Sequence, residues 1–133
     1  MGRSISGLLN YPTPASPQQL DSFAQGEDIS LTFTLTSTSN PSNWLNVEFT
    51  LIPESHGQSQ RFTFSITAAN IAISNVSTTT PYTATVTVTL PHATTLLMGQ
   101  GSAVWQCEWA DSGNVSLLGA GEIGITTPLV PIP

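Results

Sequence analysis

Ile29-Ser30-Leu31-Thr32-Phe33-Thr34-Leu35-Thr36 alternates a large apolar side chain with a hydroxyl at every step. Successive side chains of a strand point to opposite faces, so Ile29, Leu31, Phe33 and Leu35 share one face and the four hydroxyls share the other. A helix would scatter both sets around its axis. The octet is a strand buried on one side, as in an antiparallel sheet with one wet face.

The same period of two recurs along the chain at Leu45, Val47, Phe49 and Leu51, at Phe62, Phe64 and Ile66, and at Tyr82, Ala84, Val86, Val88 and Leu90. A shorter strand takes Ile71, Ile73 and Val76. Asn40-Pro41-Ser42-Asn43, the stretch from Pro53 to Gln60 around Gly57, and Ser77 to Pro81 supply turn chemistry between them. Strands punctuated in this way about every 10 to 15 residues predict a sandwich or barrel. The expected fold is an all-β, antiparallel, immunoglobulin-like sandwich.

One segment breaks the period. Pro91 to Met98 has proline at a first helical position and Gly99 where a C-terminal cap would fall, which predicts one short helical turn. Beyond it, Trp105, Cys107 and Trp109 share one face of a strand and Val104, Gln106 and Glu108 the other. Asp111-Ser112-Gly113-Asn114 predicts a hairpin, after which Val115, Leu117, Ile123 and Ile125 form the last strand across a glycine-rich break at Gly119 and Gly121.

Both ends are rich in proline. Pro12, Pro14 and Pro17 lock φ and remove backbone donors, so residues 1–19 are expected to form an extended, polyproline-like arm. Residues 20–126 then form the sandwich and residues 127–133 a proline-rich tail. Ile5, Leu8, Leu9 and Tyr11 in the arm, with Leu129, Val130 and Ile132 in the tail, are the candidate partner-binding residues. Fixing about 20 such residues costs on the order of 20 kcal/mol of backbone entropy. At about 25 cal/mol per Å² that requires roughly 800 Å² of buried apolar surface, the scale of a protein interface.

Composition narrows the function. The 133 residues suit one domain with one core. Charged residues make up only 8%, while Ser and Thr fill 35 positions, so hydroxyls take over the solubilising role of charges. There is no Lys, the only Arg residues are Arg3 and Arg61, and the net charge is -6. Nucleic-acid binding needs a cationic footprint, so that class is excluded. The single Cys107 forms no internal disulfide and fits a reducing cytosol. No leader-like start and no apolar run long enough to span a membrane is present, and the expectation is a protein without a membrane partner.

The residues that could carry catalysis are His56, His92, Cys107, Glu108 and Asp111. A nucleophile needs a base, and the base an orienting group, and no local spacing supplies even two of the three. Catalytic, metal and cofactor sites are therefore expected to be absent. Cys107, between two tryptophans on one face, reads as a small core residue. Glu27-Asp28 reads as a solvated pair at a strand entrance rather than a calcium loop. Trp44, Trp105 and Trp109 could stack sugars, with Trp44 the one expected to be exposed at the start of a strand. The sequons at Asn75 and Asn114 would matter only in a secreted eukaryotic protein.

Two stretches resemble a known family. Phe23-Ala24-Gln25-Gly26-Glu27-Asp28 before the Ile29 alternation is one. The other is Val88-Thr89-Leu90-Pro91 through Leu96, Gly99 and Trp105 to Leu118-Gly119-Ala120-Gly121-Glu122-Ile123. Together, over about residues 23–126, they are similar to small immunoglobulin-like domains of tailed-bacteriophage virions, such as the N-terminal domain of baseplate upper proteins. The resemblance does not extend to the long fibre or receptor-binding region that follows this domain in those proteins.

The resemblance implies a non-enzymatic virion protein, made in the host cytoplasm, whose partners are other virion proteins. The first expectation is a capsid decoration, or cement, protein that staples the major capsid protein through its arms and is itself a homo-oligomer, a trimer in similar proteins. The alternatives are a tail, neck or baseplate adaptor and, from a different class, a carbohydrate-binding module.

Overall fold

A computed structural model describes residues 3–54, 61–111 and 113–127. Nine strands are present among them: β1 (Arg3–Tyr11), β2 (Gln18–Ala24), β3 (Ile29–Ser37), β4 (Val47–Pro53), β5 (Phe62–Ser65), β6 (Ile71–Ser74), β7 (Tyr82–Leu90), β8 (Gly101–Asp111) and β9 (Asn114–Thr126). A 3-10 turn, Pro41–Asn43, precedes β4, and a single helical turn, α1 (His92–Thr95), joins β7 to β8. The strands make a four-stranded sheet in the order β1-β3-β7-β6 and a five-stranded sheet in the order β2-β9-β8-β4-β5. This is an all-β sandwich, and its central strands follow the immunoglobulin order.

The alternation seen in the sequence is what makes the two layers. Ile29, Leu31, Phe33 and Leu35 of β3 and Ala84, Val86, Val88 and Leu90 of β7 face inward, all at 5% exposure or less. Val47, Phe49 and Leu51 of β4 and Ala103, Trp105, Cys107 and Trp109 of β8 meet them from the other sheet. Phe33 bridges the layers, its ring centroid 5.3 Å from Trp105 and 6.0 Å from Phe49. Offset aromatic contacts of this kind add about 1 kcal/mol each beyond the area they bury.

The N-terminal arm expected over residues 1–19 is corrected. Arg3 to Tyr11 form an edge strand that pairs in parallel with β3 along its whole length, from Arg3 opposite Ile29 to Tyr11 opposite Ser37. Gln18 already belongs to β2, which pairs in parallel with β9. The sandwich is thus not purely antiparallel. The reason lies in an alternation that glycine hides: Ile5, Gly7, Leu9 and Tyr11 all point inward, and a Cβ on Gly7 would sit 2.6 Å from the Phe33 ring. The prolines are confined to the link between β1 and β2, whose Ala15 N–H donates to the Leu118 carbonyl at 3.2 Å. The expected tail from residue 128 onward, with Leu129, Val130 and Ile132, lies outside the described residues.

β9 runs unbroken from Asn114 to Thr126, so the expected glycine-rich break is also corrected. Its glycines serve close approach. A Cβ on Gly121 would lie 1.8 Å from the Gln18 carbonyl oxygen, and one on Gly119 would lie 2.9 Å from Leu9 Cδ2. Between Cys107 and Glu108 the β8–β9 register slips by one residue, leaving Leu118 as the extra residue of a bulge. Val115 and Leu117 therefore point outward, at 64% and 38% exposure, although they share sequence parity with the buried Ile123 and Ile125.

Candidate functional site

The outer face of the five-stranded sheet carries a groove of about 310 Å³. Its floor is a row of cross-strand neighbours: Ser65 on β5 stands opposite Glu48 on β4, and Glu48 opposite Glu108 on β8; Leu117 on β9, opposite Glu108, lies beyond the groove lining. A second row at the strand ends adds Thr67, Asn46, Ala110 and Val115, with Leu45 on the rim at 68% exposure. The Ala110 N–H donates to the Asn46 carbonyl at 2.9 Å and fixes that end. Glu48 and Glu108 are thus held face to face, with Ser65 beside Glu48 and the apolar Leu45, Ala110 and Val115 toward the strand ends. Like charges directly opposite on a sheet repel.

The other outer face is different. On the four-stranded sheet, Ser30, Thr32, Thr34 and Thr36 of β3 lie opposite Thr89, Thr87, Thr85 and Thr83 of β7. Ser4, Ser6, Leu8 and Asn10 of β1 extend this array on one side, and Ala72 and Ser74 of β6 on the other. Not one charged side chain interrupts it. Leu8 stands out of it at 57% exposure.

The residues expected to bind partners divide. Ile5 and Leu9 are 2% exposed inside the core and cannot meet a partner without unfolding β1. Tyr11 is half-buried, packed edge-on against Trp109 at 5.0 Å and Trp44 at 5.7 Å. Leu8 alone of the N-terminal set is available.

Trp44 is not the exposed platform expected. It is 6% exposed and stacks on Trp109 at 3.9 Å with an 11° interplanar angle, because the Pro41–Asn43 turn swings it inward before β4 begins. All three tryptophans are buried.

Cys107 is buried, and burial pushes its thiol up to about 12, so it is a thiol and not a thiolate at neutral pH. His56 lies outside the described residues. His92 and the Glu27-Asp28 pair do find partners, far apart in sequence. Asp28 accepts from the His92 backbone N–H at 2.7 Å and lies 3.0 Å from its ring Nδ1. The His92 backbone and then its ring hold the Asp28 carboxyl below its ordinary value. Glu27 takes a two-pronged contact from Arg3, both at 3.1 Å, and this contact lowers its carboxyl. No spacing rule finds such pairs, because they form only when β1 and α1 reach the same end of the sandwich. Among the described residues no group of three metal-capable side chains comes together. No helix among them is long and apolar enough to cross a membrane.

Fold and surface together define a β-sandwich that presents one charge-free hydroxyl face and one acidic, apolar-rimmed groove. No family model and no curated protein matches the chain.

Proposed function

We propose that this protein is a non-enzymatic assembly module that packs against other proteins through the charge-free outer face of its four-stranded sheet. The setting we favour is a virus particle, as a capsid decoration protein, on the strength of the resemblance over residues 23–126. The observation that carries the assembly reading is the Ser/Thr array of β1, β3, β7 and β6. Covering it removes no charge from water, and charge is the costliest thing to desolvate at an interface. Its hydroxyls can each give and accept a hydrogen bond. The role first expected of the N-terminal arm passes to this face.

The test is to place a charge in the middle of it. Thr34→Arg and Thr85→Glu should leave the sandwich folded, because both side chains point to solvent, and should abolish binding to purified particles in a co-sedimentation experiment. Quantitative mass spectrometry of those particles separates shell from tail: hundreds of copies indicate decoration, a handful an adaptor. A protein absent from the particles, or one whose charged variants bind them undiminished, would overturn the reading.

A further inference from the structure

Glu48 and Glu108 face each other across β4 and β8, and neither side-chain carboxylate has a hydrogen bond or ion pair to any described residue. A fold that keeps two like charges opposite each other, beside exposed Leu45 and Val115, breaks two rules of surface design at one place. Such departures mark function more often than accident.

A cation is the missing partner, and the chain has only two to offer. Arg3 is held by Glu27 at the opposite end of the sandwich. Arg61 is exposed and leads directly into β5, the outer edge of the five-stranded sheet. Thr63 and Ser65 point outward with Glu48, so Arg61, two residues before Thr63, has the same parity and lies on the groove side.

Within its own chain Arg61 lies down the edge from the groove. We propose that a second copy of this chain supplies it, the two copies meeting antiparallel along β5 about a two-fold axis. Such an interface is self-complementary. With Thr63 opposite Thr63, Arg61 of one copy stands opposite Ser65 of the other, a residue that lines the groove. From Ser65 the next residue across is Glu48, two strand spacings or about 10 Å from the incoming arginine backbone. An extended arginine and a glutamate span that distance together, and serine leaves the path open.

The edges of the molecule are consistent with this. The outer edge of β1 is covered at Leu8 by the Gln18 side chain, whereas on the outer edge of β5 the Ser65 carbonyl accepts the Asn70 N–H at 3.0 Å and no hydrogen bond to a described residue covers Thr63. A bare edge pairs readily with another strand. Four residues of strand are too few for a stable dimer, which needs about 1,200 Å² in all, and the exposed Leu45 and Val115 supply apolar rim beyond them.

This inference stands on a different surface from the charge-free face, so the two can fail separately. Sedimentation velocity of the 133-residue chain over a concentration series should show a monomer–dimer equilibrium that weakens with salt. Arg61→Glu and Glu48→Arg should each weaken it about tenfold, and the double variant should restore it. Thr34→Arg should leave the dimer intact. Circular dichroism confirms that each variant is folded. A chain that stays monomeric at every concentration, or a dimer indifferent to Arg61→Glu, would sink the proposal. So would a monomeric chain whose groove amides shift with the peptide Ac-Leu-Arg-Leu-NH2 and not with its glutamate analogue, since the occupant would then be a foreign cationic segment.

Discussion

The side-chain amide of Gln18 mimics a neighbouring strand for Leu8: its Oε1 accepts from the Leu8 N–H at 2.7 Å and its Nε2 donates to the Leu8 carbonyl at 2.6 Å. One side chain thereby closes the edge of the four-stranded sheet and ties it to the first strand of the other. Gln18→Ala should lose about 1–2 kcal/mol in urea unfolding, since two backbone groups of Leu8 lose their partners. Amide exchange at Leu8 should accelerate more than at Leu31 in the neighbouring strand. Unchanged exchange at Leu8 would mean that the bridge does not persist in solution.

The N-terminal strand is part of the core and not an appendage. Ile5→Ala and Leu9→Ala should each cost about 2–5 kcal/mol, the range for emptying a buried aliphatic site. Leu8→Ala, on the exposed side of the same strand, should change stability by less than about 0.5 kcal/mol. Removal of residues 1–11 should lower the melting temperature sharply; a truncated chain as stable as the parent would show that β1 does not pack as described.

Gly121 is required by space. Adding a methyl there would drive a Cβ into the Gln18 carbonyl, and the obstacle is backbone, which cannot rotate away. Gly121→Ala should destabilise by about 3 kcal/mol or dislodge β2, seen as lost protection of the amides of Leu20 and Phe23. Gly113→Ala, in the hairpin turn, meets no neighbour and suffers only from its positive φ of 89°, so its cost should be about 1 kcal/mol.

Stability should decline in acid, in part through Glu27. Arg3 lowers its folded-state carboxyl below the unfolded value, so its contribution is complete above the unfolded value and fades as pH falls through the folded one. The window lies below roughly pH 4.3. Glu27→Gln should flatten the fall in melting temperature below that pH while changing the unfolding free energy at neutral pH by less than about 1 kcal/mol, since the pair is partly exposed. A slope identical to the parent's would remove Glu27 from the account.

Cys107 should be inert while the protein is folded. With its thiol buried and pushed up to about 12, it should react with a disulfide reagent at pH 8 only on unfolding. The rate should therefore rise with urea in step with the loss of tryptophan signal.

The sequence by itself determined the layers. Alternation at Ile29–Thr36, Tyr82–Leu90 and Val104–Ala110 decides which side chains meet across the sandwich, because burial of one face is a local property of a strand with period two. Proline and glycine placed the turns and α1 for the same local reason. The N-terminal strand escaped notice because Gly7 stands where an apolar residue would have completed the alternation, and its absence of a side chain is explained only by Phe33 lying above it.

What only the tertiary structure decided depends on register and on meetings between distant segments. The groove exists because Glu48 and Glu108 fall opposite each other on β4 and β8. A one-residue bulge at Leu118 then turns Val115 and Leu117 outward beside them. Arg3–Glu27 and His92–Asp28 form because β1, the turn after β2 and α1 converge on one end. Spacing along a chain fixes which face a residue occupies within its own strand, but a bulge reverses that face, and cross-strand neighbours are set by how the sheets close around the core.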